Sequence, residues 1–291
     1  MTVFIKMGQP LNSPALWGDF HFAYSLKDSL KRRGIPGRVL FYEDLMLKVD
    51  VEIVLLGLNM AHYRPARDNY SVAWLISHPE QNVPEVLSSF NTALVCSRPL
   101  SRAWGFEYFP QAFDSRTFGN GATEPANLSN VEFPIVFVGN ARDESRIQLL
   151  NALGDAFEGV HVWGNFYRKN PHITYHAPVL PNAVDEIYRR ARIVIGHHLE
   201  PARRQGMIND RVYSVIASGA FLISDAVSGI NAEFPDLVTY DSPEEAVRLC
   251  RYYLDRDEDR VKRAKSCTEQ NRQNSFDERA FRLEQLFPKS L

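Results

Sequence analysis

The chain has 291 residues, enough for two average domains or one large one. Its 45% hydrophobic and 23% charged content excludes an intrinsically disordered chain. Thirty-three basic against 35 acidic side chains give a formal net charge of -2, which argues against a broad nucleic-acid-binding surface.

Val3 to Met7 is a short apolar run that reads as a buried strand. A Pro- and Gly-containing loop follows to Gly18. From Asp19 to Arg33 the pattern is helical, with Phe22, Leu26 and Leu30 at four-residue steps and Gly34 to end it. Further strands are expected at Arg38 to Tyr42, Val51 to Leu58, Ser71 to Ile76 and Thr92 to Ser97, with Phe106 to Phe109 a candidate sixth. Residues 115 to 131, rich in Gly and Asn, read as a loop or linker.

The alternation then restarts. Strands are expected at Pro134 to Gly139, Val160 to Trp163, Ile193 to Gly196 and Phe221 to Ser224. Helices are expected at Asp143 to Phe157, Val184 to Arg190, Asp210 to Ser218, Pro243 to Arg256 and Glu278 to Leu286. Near-continuous apolar strands separated by helix-length segments predict an α/β fold of parallel sheets covered on both faces. Two such units in tandem predict a shared cleft as the default binding site.

Cys96, Cys250 and Cys267 are widely spaced and form no Cys-x-x-Cys pair. That usage suits a reducing compartment, and no leader-like start or apolar run of about 18 residues is present. A cytoplasmic protein without a transmembrane segment is the expectation.

Trp17-Gly18-Asp19-Phe20-His21 opens the first helix. Gly18 permits close approach to the backbone, and the helix start offers N–H groups to a polar ligand. Asp19 and His21 are candidate proton acceptors; the same residues also fit a helix cap and a surface position. His78, after a strand and before Pro79, is a candidate contact to ligand or a histidine held in a turn. No Gly-x-Gly-x-x-Gly fingerprint follows the first strand.

The second candidate segment is Asn209-Asp210-Arg211-Val212-Tyr213-Ser214, which leads into Ala217-Ser218-Gly219. Asn209 or Asp210 can cap a helix whose N-terminus suits a diphosphate. Arg211 in the first turn opposes the helix dipole, which a bound anion or a carboxylate would offset. Gly139-Asn140, followed by Arg142 and Arg146, forms a second strand-to-loop turn with basic side chains. His197 and His198 follow another strand; neighbours in extended chain point apart, so they do not readily share one metal. Asp255-Arg256-Asp257 reads as the solvated end of a polar helix.

Asp210-Arg211-Val212-Tyr213-Ser214 through Ser224-Asp225, with Gly229 and Phe234, resembles the carboxyl-terminal domain of GT-B glycosyltransferases, within them the group 1-like, CgeB-like proteins of bacterial polysaccharide assembly. Trp17-Gly18-Asp19-x-His21, Trp74-x-Ile76-Ser77-His78-Pro79-Glu80, Phe109-Pro110-Gln111-Ala112-x-Asp114 and Phe137-Val138-Gly139-Asn140 are similar to that group in the same order. The resemblance implies two Rossmann-like domains facing a central cleft: an acceptor domain at 1–125, a nucleotide-sugar domain at 126–270, and a terminal helix at 271–291 packing back on the first domain. It implies donor contacts from Gly139, Asn140, Arg142, His198, Asn209, Asp210, Arg211 and Ser214, acceptor contacts from Trp17, Gly18 and His78, and catalytic roles for Asp19 and His21. It also implies no metal and no cofactor beyond the nucleoside-diphosphate sugar. Retaining members often carry two glutamates eight residues apart; Gly206 and Ser214 stand there in this chain, and the stereochemical course is open.

The reading is therefore a glycosyltransferase acting on a nucleotide-sugar donor and a hydroxyl of a glycan or small acceptor, with no nucleic-acid partner. Alternatives are a nucleotide-sugar epimerase or hydrolase, a non-catalytic nucleotide-sugar or glycan-binding subunit, and a transferase acting on DNA bases, which the balanced charge disfavours.

Overall fold

A computed structural model describes residues 1–12, 18–81, 83–119, 132–140 and 143–289. It divides into two compact units: Met1–Ala112 with Arg204–Ile208 and Asn274–Leu291, and Phe113–Arg203 with Asn209–Gln273. The expected boundary at 125/126 and most of the expected linker lie outside the described residues; Ser115–Phe118, within that linker, is a short helix.

The first unit begins with β1 (Val3–Met7), α1 (Gly18–Arg32), β2 (Gly37–Leu40), β3 (Val51–Leu56) and β4 (Tyr70–Leu75). It continues with α2 (Pro84–Leu87), β5 (Thr92–Val95), α3 (Arg98–Trp104) and β6 (Glu107–Tyr108). Its sheet has the order β2-β1-β3-β4-β5-β6, all neighbours parallel. The chain order reverses between β1 and β3, where a parallel sheet opens a crevice at its carboxyl edge.

Burial on both faces explains the near-continuous apolar strands. β3 is buried throughout, although it contains Glu52. That carboxylate accepts from Ala66 N at 3.0 Å and Asn69 Nδ2 at 2.9 Å, which staples the 62–69 loop beneath the sheet edge. Burial still pushes its carboxyl above the ordinary range.

α1 starts at Gly18, so Asp19 lies in its first turn, one residue inside the cap position expected for it. Phe22, Ala23, Leu26 and Leu30 face the core. Gly34, at φ +79°, ends the helix, and Ile35 N donates to Leu30 O at 3.0 Å.

The second unit contains α4 (Ser115–Phe118), β7 (Phe133–Val138), α5 (Glu144–Ala156), β8 (Val160–Trp163), β9 (Ile173–His176), α6 (Pro181–Arg189) and β10 (Ala191–Gly196). After α7 (Glu200–Arg204) come α8 (Asp210–Ala217), β11 (Leu222–Asp225), α9 (Ile230–Glu233), β12 (Val238–Tyr240), α10 (Pro243–Leu254) and α11 (Asp257–Asn271). Its parallel sheet has the order β12-β11-β10-β7-β8-β9. The reversal lies between β7 and β10. Between α7 and α8, residues Arg204–Ile208 belong to the first unit, where Ser97 Oγ donates to Gln205 O at 2.5 Å.

The last helix, α12 (Phe276–Leu286), belongs to the first unit and packs on α1. Phe276 meets Phe22 edge to face at 4.6 Å, and Arg32 pairs with Asp277 at 2.5 Å. Arg279 is buried, with Nε donating to Pro110 O at 2.8 Å and Nη2 to Gln111 O at 3.2 Å and Asn274 Oδ1 at 2.6 Å. Trp74 Nε1 donates to Phe109 O at 3.0 Å, and Gln111 Nε2 donates to Ile76 O. The Phe109-Pro110-Gln111-Ala112 segment is thus a structural tie between β4 and α12. Arg279→Ala should cost about 3 kcal/mol, because it strands buried carbonyls and leaves a hole. Urea unfolding of wild type and variant measures this, and a change below about 1 kcal/mol contradicts the assignment.

Candidate functional site

In the first unit, the carboxyl ends of β1, β3 and β4 converge on the start of α1. A Cβ on Gly8 would lie 1.9 Å from Leu58 O, so the β1 and β3 exits touch through bare backbone. Asn59, in the left-handed region at φ +67°, donates from Nδ2 to Gly8 O at 3.2 Å. A Cβ on Gly57 would lie 2.7 Å from Ser77 Oγ and 3.3 Å from Asp19 Oδ2. Asp19, Gly57 and Ser77 therefore share one corner at the β1–β3 reversal.

His78 stands beside this corner. Its backbone is left-handed at φ +51°, and its Nδ1 is 3.0 Å from Ser77 Oγ. A histidine there is strained, and such strain persists where surroundings or function require it. His21 is half-buried, its ring edge-on to Phe20 at 5.3 Å. Gly18 is exposed, and among the described residues no atom lies within 4 Å of where a Cβ on it would stand. Trp17 lies outside the described residues.

In the second unit, the corresponding crevice is lined by cations. Gly139, at φ +153°, ends β7; a Cβ on it would meet Arg211 Nη2 at 2.9 Å. Gly164, at φ +145°, packs against it so closely that a Cβ would lie 2.1 Å from Gly139 O. Asn140 Oδ1 accepts from Asn165 N at 2.9 Å, joining the β7 and β8 exits. Arg142 lies outside the described residues.

Arg146, on α5, is buried. Its Nη1 donates to Asn140 O at 2.5 Å and its Nη2 to His197 O at 2.9 Å. Arg211 Nη1 donates to the same His197 carbonyl at 3.4 Å. Both guanidinium groups lie over the Phe137 ring, at 5.4 and 5.6 Å. Among the described residues, no carboxylate pairs with Arg211. Tyr188, whose hydroxyl burial pushes up, is its buried neighbour. Two cations drawn to one carbonyl repel each other, and an anion beside them would relieve that repulsion.

Helix α8 adds its free N–H groups to the same place. Asn209 is the cap, its side chain accepting from Val212 N at 3.3 Å. Asp210 is exposed in the first turn, and Ser214 is buried one turn further on. Behind the cap stands a fixed pair. His198 Nδ1 donates to Asp225 Oδ1 at 2.7 Å, and His198 Nε2 accepts from Asn209 N at 3.2 Å. The carboxylate can only accept, so the ring carries its proton on Nδ1. Both ring nitrogens are engaged within the protein, so the His198 side chain acts on the α8 start. Burial opposes ionisation of Asp225, but His198 and its hydrogen bonds outweigh it and hold the carboxyl down at about 2.

His197 is buried differently. Its Nδ1 is 3.0 Å from Tyr240 Oη and its Nε2 is 3.0 Å from Ser145 Oγ. Burial is the main force lowering its pKa to about 4; nearby Asp225 opposes this and Arg146 adds to it. Gly206, at φ +66°, lies in the first unit, whereas Ser214 lies in the second. Asp257 pairs with Arg260 at the start of α11.

Arg146, Asp225 and Gly164 are participants that sequence reasoning did not place in the site. A basic residue three positions beyond a capping aspartate, Asp143, was visible for Arg146. Nothing local pointed to Asp225 or Gly164, whose roles come from neighbouring strands.

Residues 144–285 match the family model described as Glycosyl transferase-like. No curated protein matches the chain. Among solved structures, a sucrose-phosphate synthase from Thermosynechococcus elongatus has a TM-score of 0.68 at 11% identity, covering 99% of this chain and 98% of that one. An alpha-glucosyltransferase in complex with UDP-glucose and DNA containing an abasic site has 0.67 at 10% identity, covering 98% of each. T4 phage BGT in complex with its UDP-glucose substrate has 0.63 at 14% identity, covering 97% of this chain and 99% of that one. The fold is that of the GT-B glycosyltransferases. Among the described residues, no helix is long and apolar enough to cross a membrane.

The His197 environment carries a pH dependence. The folded state keeps the ring neutral down to about 4, whereas an unfolded histidine takes a proton near 6.5. Stability contributed by the neutral ring is therefore full above about pH 6.5 and falls progressively to about pH 4. The shift corresponds to a loss on the order of 3 kcal/mol. Unfolding free energies at pH 7 and pH 4.5 should differ markedly less in His197→Gln than in wild type. Equal pH slopes in the two proteins would falsify the assignment.

Proposed function

We propose that the chain is a glycosyltransferase that moves a sugar from a nucleoside-diphosphate donor to a hydroxyl of a glycan or small acceptor. The observation that carries this reading is the Arg146–Arg211 pair at the α8 N-terminus, with no carboxylate on Arg211 among the described residues. Such a site suits a diphosphate, and the second-unit segment carrying it lies largely within the Glycosyl transferase-like match. The UDP-containing neighbours share the fold.

In the proposed step, the bond from the anomeric carbon to the diphosphate oxygen breaks and a bond to the acceptor oxygen forms. The acceptor proton passes to the Asp19 carboxylate. The nucleoside diphosphate leaves with added negative charge, which Arg211 and the α8 N–H groups stabilise. These groups fill the electrostatic role that a divalent cation would otherwise serve, so the reading is metal-independent. A cytoplasmic enzyme without a nucleic-acid substrate is part of the same reading; the balanced 33 to 35 charge count supports the latter, although DNA-modifying enzymes share the fold.

The direct test is a thermal-shift and calorimetric screen with UDP, GDP, dTDP and CMP sugars on wild type and Arg211→Ala. One nucleotide class should raise the melting temperature by mass action. Arg211→Ala should weaken its binding by about 1.5–3 kcal/mol without unfolding the chain. Unchanged affinity in the folded variant removes the diphosphate from this site.

Asp19→Asn separates chemistry from folding. Turnover should fall by roughly 10²–10⁴-fold if the carboxylate takes the acceptor proton. Helix stability should change by less than about 1 kcal/mol, because only a first-turn charge is lost. Near-normal turnover with intact donor binding would exclude Asp19 as the base.

A further inference from the structure

Four large apolar side chains stand exposed on two adjoining loops of the first unit: Leu11 at 64%, Tyr42 at 50%, Leu45 at 83% and Leu47 at 57%. Water contact with so much apolar surface on two adjoining loops is unfavourable unless something covers it. The loops are not loosely placed. Tyr42 N donates to Gln9 O at 2.9 Å, and Leu11 N donates to Glu43 Oε2 at 2.9 Å. Beneath them, the buried ammonium of Lys6 donates to the carbonyls of Phe41, Tyr42 and Asp44 at 2.5, 2.8 and 2.5 Å. At the far end, Asn69 Nδ2 donates to Leu47 O at 3.0 Å, and Asn69 Oδ1 accepts from Val49 N at 2.9 Å. A buried lysine spent on three loop carbonyls is a costly anchor, and it holds an apolar surface outward.

The place of this surface decides its occupant. Phe41, the first residue of the loop after β2, packs on Phe20 at 6.3 Å between ring centres. Phe20 lies between Asp19 and His21 in the first turn of α1. The apolar loops therefore adjoin the helix start proposed to receive the acceptor hydroxyl. Between 41 and 50 the chain carries Glu43, Asp44 and Asp50 against Lys48, three carboxylates to one ammonium. That balance opposes an anionic lipid surface. Four side chains also make too small a patch for a stable dimer, which needs at least about 1,200 Å² of buried surface.

We propose that the acceptor carries an apolar portion, an alkyl or aryl aglycone next to its reacting hydroxyl, and that this portion docks on the Leu11–Tyr42–Leu45–Leu47 surface. The proposal rests on the acceptor reading of the first unit given above. It assigns these residues to acceptor selection, with no part in the transfer step.

The test is calorimetric titration of wild type and Leu45→Gln/Leu47→Gln with methyl β-glucoside and with octyl β-glucoside below its micelle concentration. Both substituted positions are exposed, so the variant should fold, and Leu11→Gln provides a second, independent one. Wild type should bind the octyl glycoside about tenfold or more tightly than the methyl glycoside, the effect of burying roughly two methylenes. The double variant should narrow that ratio to within about twofold. Equal binding of the two glycosides to wild type, or a ratio that survives the substitutions, overturns the proposal. So does cosedimentation with phosphatidylcholine vesicles, or a wild-type dimer, that the double variant abolishes. UDP titration of the same samples keeps the two readings apart: loss of nucleotide binding strikes the transferase reading, while the glycoside ratio reports on the apolar surface alone.

Discussion

The crevice of the second unit is organised around one buried cation, Arg146. β7 and β10 are sheet neighbours at which the chain order reverses, so the loops leaving them diverge and open a crevice. Arg146 spans it, bonded to Asn140 O on one side and His197 O on the other. Once a guanidinium occupies that place, other features follow. A second cation on His197 becomes unfavourable, and burial with Arg146 nearby keeps that ring neutral. Arg211, reaching the same carbonyl, stands close to a like charge. It does so because Gly139 leaves room and Phe137 offers a ring face. Asp225, a buried carboxylate of this unit, is committed to His198, and among the described residues no carboxylate pairs with Arg211.

The first unit meets the same topological situation with different chemistry. Its order reverses between β1 and β3, but among the described residues no arginine is seen to bridge the two exits. Gly8, Gly57 and the left-handed Asn59 bring the backbones together, and Asp19 and Ser77 face the junction. A carboxylate and a hydroxyl suit the orientation of a neutral hydroxyl ligand. A pair of guanidinium groups at a helix start suits an anion. The two crevices thus differ in charge character.

The sequence carried the alternation well, because buried parallel strands such as Val51–Leu56 are nearly continuous apolar runs. The helix at Asp210 was legible from its cap, and α10 from Ser242-Pro243. Ile173–His176 and Val238–Tyr240 were not, since edge strands of four and three residues leave almost no period to read. Strand β11 was expected at Phe221 to Ser224. It runs to Asp225 because His198, on the neighbouring strand exit, supplies that carboxylate with its hydrogen bonds. Gly139 and Arg211 could be singled out one at a time. Their contact could not, since 72 positions separate them and only the sheet order joins them.

The same geometry gives physical meaning to Gly206 and Ser214, which stand where retaining members of the resembling group often carry glutamates. Gly206 is buried at φ +66°, a conformation that costs a residue with a Cβ on the order of 1 kcal/mol or more. A glutamate there would need a different backbone. Ser214 is also buried, one turn inside α8, on the helix whose first residues include Arg211. A carboxylate at that position would bring negative charge to within a turn of the Arg211 guanidinium and give it an internal partner. Serine brings none. The serine at 214 and the absence, among the described residues, of a carboxylate on Arg211 are therefore parts of one electrostatic arrangement, a positive charge at the α8 start that suits an anion.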